Sequence, residues 1–105
     1  MASPANRPWV VYLLESRGAA STYVGITNHL ARRLAQHNGR VAGGARSTRA
    51  RRPWHLVKIH GPFETRAEAQ RVERAWKRCR GGERRRWQLR LVGPARLRAC
   101  EEIPR

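Results

Sequence analysis

Two short runs, residues 9–15 (WVVYLLE) and residues 22–28 (TYVGITN), constrain the fold of this chain more than any other feature. The first is an unbroken stretch of β-branched, aromatic and aliphatic residues, which reads as a strand buried on both faces. The second is a strand of similar length. Only residues 16–21, with Gly18, separate them, and so short a gap makes the pair an antiparallel hairpin.

The elements that follow supply a cover for that hairpin. A helix is expected over about 29–38, with Leu30 and Leu34 at i and i+4 on one face, Asn28 as its N-cap and Gly39 as its stop. Residues 39–52 hold Gly39, Gly43, Gly44 and five arginines, the pattern of a mobile basic loop. Residues 54–60 (WHLVKIH) read as a third strand, ended by Gly61-Pro62. A second helix is expected over about 66–80. Thr65 and Glu68 open it as a capping box, and Ala69, Val72, Trp76 and Cys79 form its apolar stripe. Gly81-Gly82 ends that helix. A third helix over about 84–92 is expected, with a strand as the alternative.

The order is therefore ββαβα plus a terminal helix. This is an α+β domain with a small three-stranded antiparallel sheet flanked by helices. Residues 1–7 read as a flexible N-terminal arm, 8–95 as the domain and 96–105 as a C-terminal tail.

Charge narrows the function. Lys and Arg total 23 against 7 acidic residues, for a formal net charge of +16. Only Lys58 and Lys77 are lysines, and every acid is Glu. Such an excess implies a polyanionic partner, because neutralising phosphates releases their condensed counterions. The longest apolar run, Trp9 to Leu14, is too short to span a membrane. With two cysteines, no C-x-x-C pair and no apolar leader, a cytoplasmic location with free thiols is expected. The chain lacks Asp altogether, which excludes a Ser-His-Asp constellation, and it lacks a G-x-x-x-x-G-K phosphate loop.

Several polar groups fit packing less comfortably. Tyr12 sits inside an apolar strand. Tyr23 is followed by Gly25, and glycine inside a strand often marks the close approach of another group. Taken alone, both tyrosines also fit ordinary sheet aromatics with satisfied hydroxyls. Arg33 and His37 share a helix face at i and i+4. Glu73 edges the stripe of the second helix, beside Ala69 and Trp76. It suits either a salt bridge to a nearby arginine or a hard divalent cation, which one or two carboxylates plus water can hold. The run from Arg46 to Arg52 supplies phosphate donors.

In combination these residues resemble the GIY-YIG nuclease family. The two halves of its signature stand at Val11-Tyr12-Leu13 and Tyr23-Val24-Gly25. Gly25 through Thr27, Leu30, Arg33 and His37-Asn38 is similar to the family's G-x-T-x-x-x-x-R-R-x-x-x-H-N helix. The segment from Ala45 to Arg49 is similar to its A-x-x-T-R segment, and Glu73 matches the position of its metal-binding glutamate. The first triplet departs from the pattern, keeping only its tyrosine, and no Asn follows Glu73 where some members use one.

The resemblance implies a GIY-YIG fold like the nuclease domain of structure-specific resolvase subunits and excision-repair incision nucleases. It implies a metal-dependent endonuclease that hydrolyses DNA phosphodiesters in repair or recombination, on branched or nicked DNA, with a protein partner supplying specificity. The alternative is a basic nucleic-acid-binding module with little activity unless a partner is bound. Carried over, Tyr12, Tyr23, Arg33, His37 and Glu73 are the catalytic set. Glu73 would hold Mg²⁺ or Mn²⁺, and Tyr12 would serve as general base with Tyr23 competing. Because free tyrosine titrates near ~10, the base role calls for cations that lower its pKa. Arg32, Arg40, Arg46, Thr48, Arg49, Arg51, Arg52 and Lys58 are the expected nucleic-acid contacts.

Overall fold

The computed structural model describes residues 7–18, 21–88, 91–92 and 96–97. Most of the arm, the end of the tail and Cys100 lie outside the described residues. The hairpin is present as β1 (Trp9–Ser16) and β2 (Thr22–Thr27), followed by α1 (Leu30–His37). A 3-10 helix (Arg46–Arg51), β3 (Trp54–Phe63) and α2 (Arg66–Lys77) come next. A short α3 (Glu83–Arg86) and a small pair, β4 (Leu91–Val92) and β5 (Arg96–Leu97), follow. The main sheet has the order β2-β1-β3, antiparallel throughout.

β1 is central because it is apolar on both faces. Val11 and Leu13 point one way and join Val24, Ala69, Val72, Trp76, Cys79 and Trp87 in the larger core under α2. Trp76 and Trp87 stack there with ring centroids 5.7 Å apart. Tyr12 and Leu14 point the other way and pack with Trp54, Tyr23, Leu30 and Leu34 beneath α1. Alternation along one strand thus separates a packing face from the face that carries the polar groups.

The ends of the elements explain most departures from expectation. Asn28 does not cap α1; His29 does, its Nδ1 accepting from the Arg32 amide at 3.4 Å. Gly39 follows the helix with φ of 79°, as a stop in the left-handed region requires. β3 continues past Gly61-Pro62 to Phe63, because β3 is an edge strand and proline there removes no ladder donor. The capping box at α2 is formed. Thr65 Oγ1 accepts from the Glu68 amide at 3.2 Å and donates to the Glu68 carboxylate at 3.1 Å.

α2 stops at Lys77, where Arg84 takes over its carbonyl end. The guanidinium donates to Cys79 O at 2.8 Å and Lys77 O at 3.3 Å, and also reaches Thr22 Oγ1 at 2.9 Å. The expected helix over 84–92 reduces to one turn, since Trp87 leaves the helical path to enter the core and Leu91–Val92 pair as a strand. Arg85 clamps that turn to β1 through Glu15, whose carboxyl is held below its usual range by the bond. Cys79 is fully buried in the core under α2, and the other cysteine, Cys100, lies outside the described residues. Among the described residues no helix is long and apolar enough to cross a membrane.

Candidate active site

Tyr12 and Gly25 are cross-strand partners on β1 and β2. That pairing explains the glycine. A Cβ at position 25 would lie 2.6 Å from Tyr12 Oη, 2.8 Å from its Cζ and 2.9 Å from Tyr23 Cε2. The missing side chain lets the Tyr12 ring lie flat across β2. Gly25→Ala should therefore push both rings aside, at a cost of about 1–3 kcal/mol for overpacking. Urea denaturation would measure that loss, and a variant as stable as the wild type would contradict this account of the glycine.

The hydroxyl so placed meets α1. Tyr12 Oη lies 2.7 Å from His37 Nε2, with both residues essentially buried. On its other side His37 Nδ1 lies 3.0 Å from Thr48 Oγ1, and the Thr48 hydroxyl donates to Ala45 O at 2.8 Å. Four residues, from β1, α1, the 3-10 helix and the loop just before it, thus make one polar chain whose side chains are buried. Tyr23 packs against the same imidazole with its ring tilted by 58°, ring centroids 4.7 Å apart, and meets Trp54 edge-on at 6.5 Å.

Burial, with the nearby charges, sets the protonation of the chain. Burial, then the cations Arg33 and Arg52, pull the His37 pKa down to about 4, so it is neutral near pH 7. Burial, first, and the neighbouring Tyr23 push the Tyr12 hydroxyl up from its ordinary value. Arg33 opposes the rise by hydrogen bond and charge, and Glu73 adds to it. The lowering expected of Arg33 is thus real but outweighed, and Tyr12 rests protonated. The Glu73 carboxylate, on α2, thus acts electrostatically on the hydroxyl on β1.

The His37 shift has a consequence for stability. Its folded pKa is below the unfolded value, so the contribution is whole above about 6.5 and is lost as pH falls toward about 4. The loss should be on the order of 3 kcal/mol. Urea unfolding at pH 7 and pH 4.5 should show a larger drop for the wild type than for His37→Gln. Equal drops in the two proteins would contradict the assignment.

Arg33 is half-buried at the site's edge, where Nη1 donates to Gln36 Oε1 at 2.9 Å and to Gly43 O at 2.8 Å. Glu73 is also half-buried, with one carboxylate oxygen 3.3 Å from Lys77 Nζ one turn on. The other acids near this part of the chain are engaged, Glu15 by Arg85 and Glu68 by the α2 cap. Among the described residues no group of three His, Cys or acidic side chains could enclose a metal ion. A single carboxylate still fits a hard cation such as Mg²⁺, which keeps waters and takes its remaining oxygens from phosphate.

The expected nucleic-acid contacts divide. Arg32, Arg40, Arg46, Arg49, Arg51 and Arg52 are exposed, and Arg52 also donates through Nε to His37 O at 2.7 Å. Thr48 and Lys58 are corrections. Thr48 has no exposed surface, and its hydroxyl is spent on His37 and Ala45. Lys58 pairs with Leu13, on the sheet face opposite Tyr12, and its ammonium donates to Arg85 O and Trp87 O at 3.0 and 2.8 Å. Burial lowers its pKa accordingly.

Two supporting residues escaped the sequence reading. Asn38 staples the end of α1 to β3, donating to Trp54 O at 2.9 Å and accepting from Trp54 N at 2.6 Å. Trp54 in turn donates through Nε1 to Thr48 O at 2.7 Å and so pins the loop behind His37. For Asn38 the available signal was its place in the H-N pair that closes the α1 motif, whereas nothing local ties Trp54 to the site.

Fold and site together define the class of protein: the chain belongs to the GIY-YIG family, whose catalytic-domain profile matches residues 8–85. Among individual proteins it is similar to the structure-specific endonuclease subunit slx1 of Aspergillus niger. That relative is 47% identical over 80 residues, covering 73% of this chain and 19% of the relative. The human structure-specific endonuclease subunit SLX1 is 41% identical over 91 residues, covering 86% of this chain and 31% of the relative. The slx1 protein of Aspergillus clavatus is 52% identical over 68 residues, covering 62% and 16%. The chain therefore spans less than a third of the length of these relatives.

Proposed function

We propose that this domain is a metal-dependent endonuclease that hydrolyses DNA phosphodiesters, acting on branched or nicked DNA in repair or recombination. The observation that carries the reading is the 2.7 Å bond between Tyr12 and the neutral His37, in a buried chain bordered by Arg33. A phenol whose proton has a waiting acceptor can take a proton from water as it gives its own away.

The residues divide the work as follows. Tyr12 orients the attacking water and receives its proton. His37 accepts the tyrosine proton. Arg33 stabilises negative charge on the phosphoryl oxygens, and on Tyr12 as its proton leaves. Glu73 would hold Mg²⁺ or Mn²⁺, which when bound supplies Lewis-acid polarisation of the phosphate and stabilisation of the leaving oxygen. The arriving phosphate also offsets the Arg33 and Arg52 charges, which add to burial in keeping His37 neutral. Exposed Arg40, Arg46, Arg49 and Arg51 fix the nucleic-acid backbone.

A partner-dependent form of the same reading has its own support: the relatives are named subunits, and this chain matches only a minor part of each. Both forms are tested by incubating the protein with branched, nicked and linear duplex DNA, with Mg²⁺ or Mn²⁺ and with a chelator. Metal-dependent cutting that favours branched DNA supports the stand-alone enzyme. Binding without cutting of any substrate would overturn it in favour of the partner-dependent module.

A further inference from the structure

We infer that Thr48 is a positioning residue that fixes the His37 proton on Nδ1, and so sets the direction in which the Tyr12 proton moves. The effect on rate rests on the endonuclease reading, whereas the tautomer itself does not.

The direction follows from counting protons. The Thr48 hydroxyl has one. It lies 2.8 Å from Ala45 O, a carbonyl that can only accept, so the hydroxyl donates there. At 3.0 Å from His37 Nδ1 the same oxygen then has only lone pairs to offer, and Nδ1 must carry a proton. A neutral imidazole carries one N–H, which leaves Nε2 bare. The Tyr12 hydroxyl, 2.7 Å away, can therefore only donate to it. One acceptor-only carbonyl at the far end orders every bond in the chain.

That end is built to hold its place. Thr48 is fully buried. Its amide donates to the same Ala45 carbonyl at 3.1 Å, and its own carbonyl accepts from Trp54 Nε1 at 2.7 Å. Gly44, just before Ala45, lies against α1 so closely that a Cβ would stand 2.3 Å from Gln36 O. The glycines and arginines of residues 39–52 suggest a mobile loop, yet its middle is the anchor of the site.

During attack the water proton would pass to Tyr12 Oη as the tyrosine proton passes to His37 Nε2. His37 then carries protons on both nitrogens, with Nδ1–H still bonded to Thr48. With the opposite tautomer, Nε2–H would face Tyr12 Oη and the proton would have nowhere to go.

Nitrogen-15 NMR of histidine-labelled protein at pH 7 tests this directly. The His37 signals are those that move in Tyr12→Phe. The expected wild-type result is a protonated Nδ1 and an unprotonated Nε2. Thr48→Ser should restore that signature. Thr48→Val should lose it, with single-turnover DNA cutting slower by about 10–100-fold, the usual cost of removing an orienting partner, and DNA affinity retained. A wild-type proton on Nε2 would overturn the inference, and so would Thr48→Val with both the Nδ1–H signature and the full rate. If Thr48→Val fails to fold, the wild-type and Thr48→Ser spectra decide. If the domain cuts no DNA, the spectra still decide the tautomer.

Discussion

Tyr12→Phe should reduce phosphodiester cutting by about a hundred- to ten-thousand-fold, the range associated with losing a positioned acid or base. The fold should survive. Phenylalanine fills the same buried space over Gly25, and only the hydroxyl is removed. His37 Nε2 is then left without its partner, which costs about 1–3 kcal/mol for a buried unsatisfied group. DNA affinity should hold, because the proposed partners of the lost hydroxyl are His37 and the attacking water, whereas the exposed arginines hold the nucleic-acid backbone. Tyr23→Phe is the informative comparison. Tyr23 contributes its ring to His37, whereas Tyr12 contributes its hydroxyl. The phenylalanine variant at 23 should therefore retain most of the rate. Equal losses from the two substitutions would contradict the assignment of Tyr12 as the proton acceptor.

Glu73→Gln carries an expected loss of similar size, about a thousandfold, matching several kcal/mol of lost charge stabilisation by a metal ion. The amide keeps the volume at the edge of the α2 stripe and frees Lys77 from its ion pair. Removing a negative charge from a phosphate-facing site should leave DNA binding equal or tighter. The two substitutions thus separate binding from chemistry, which the arginine excess alone cannot do. Filter binding and single-turnover cutting on the same DNA give the two readings. Weakened binding in Glu73→Gln would show that the carboxylate serves the fold.

The parts legible in the sequence are those where local pattern and tertiary need coincide. β1 and β2 were clear because every position of both strands is core or half-buried and only a short gap in the sequence separates them, and α2 was clear because Thr65, Glu68 and its stripe agree. Gly25 announced a close approach, though not that the approaching group was Tyr12. Arg33, His37 and Glu73 were recognisable only as an ordered set.

The rest depends on contacts distant in sequence. Thr48, one polar residue within an arginine run, reads as surface, and only α1 and Trp54 turn it inward. Lys58 reads as a phosphate donor because nothing nearby reveals the carbonyls of Arg85 and Trp87. The Tyr12 hydroxyl was expected to be acidified by cations. It is instead raised, because burial beneath α1 outweighs Arg33. On the proposed mechanism, that balance gives His37 more of the work than the arginines.

The most direct test of the account is single-turnover cleavage of one branched DNA in Mg²⁺, with protein in excess and occupancy measured on the same samples. The account predicts metal-dependent cutting by the wild type and cutting at least about a hundredfold slower by Glu73→Gln and Tyr12→Phe at equal occupancy. Cutting by Glu73→Gln at close to the wild-type rate, or a wild type that occupies the DNA fully without cutting it, would contradict the claim that this tyrosine, histidine and glutamate form a working active site.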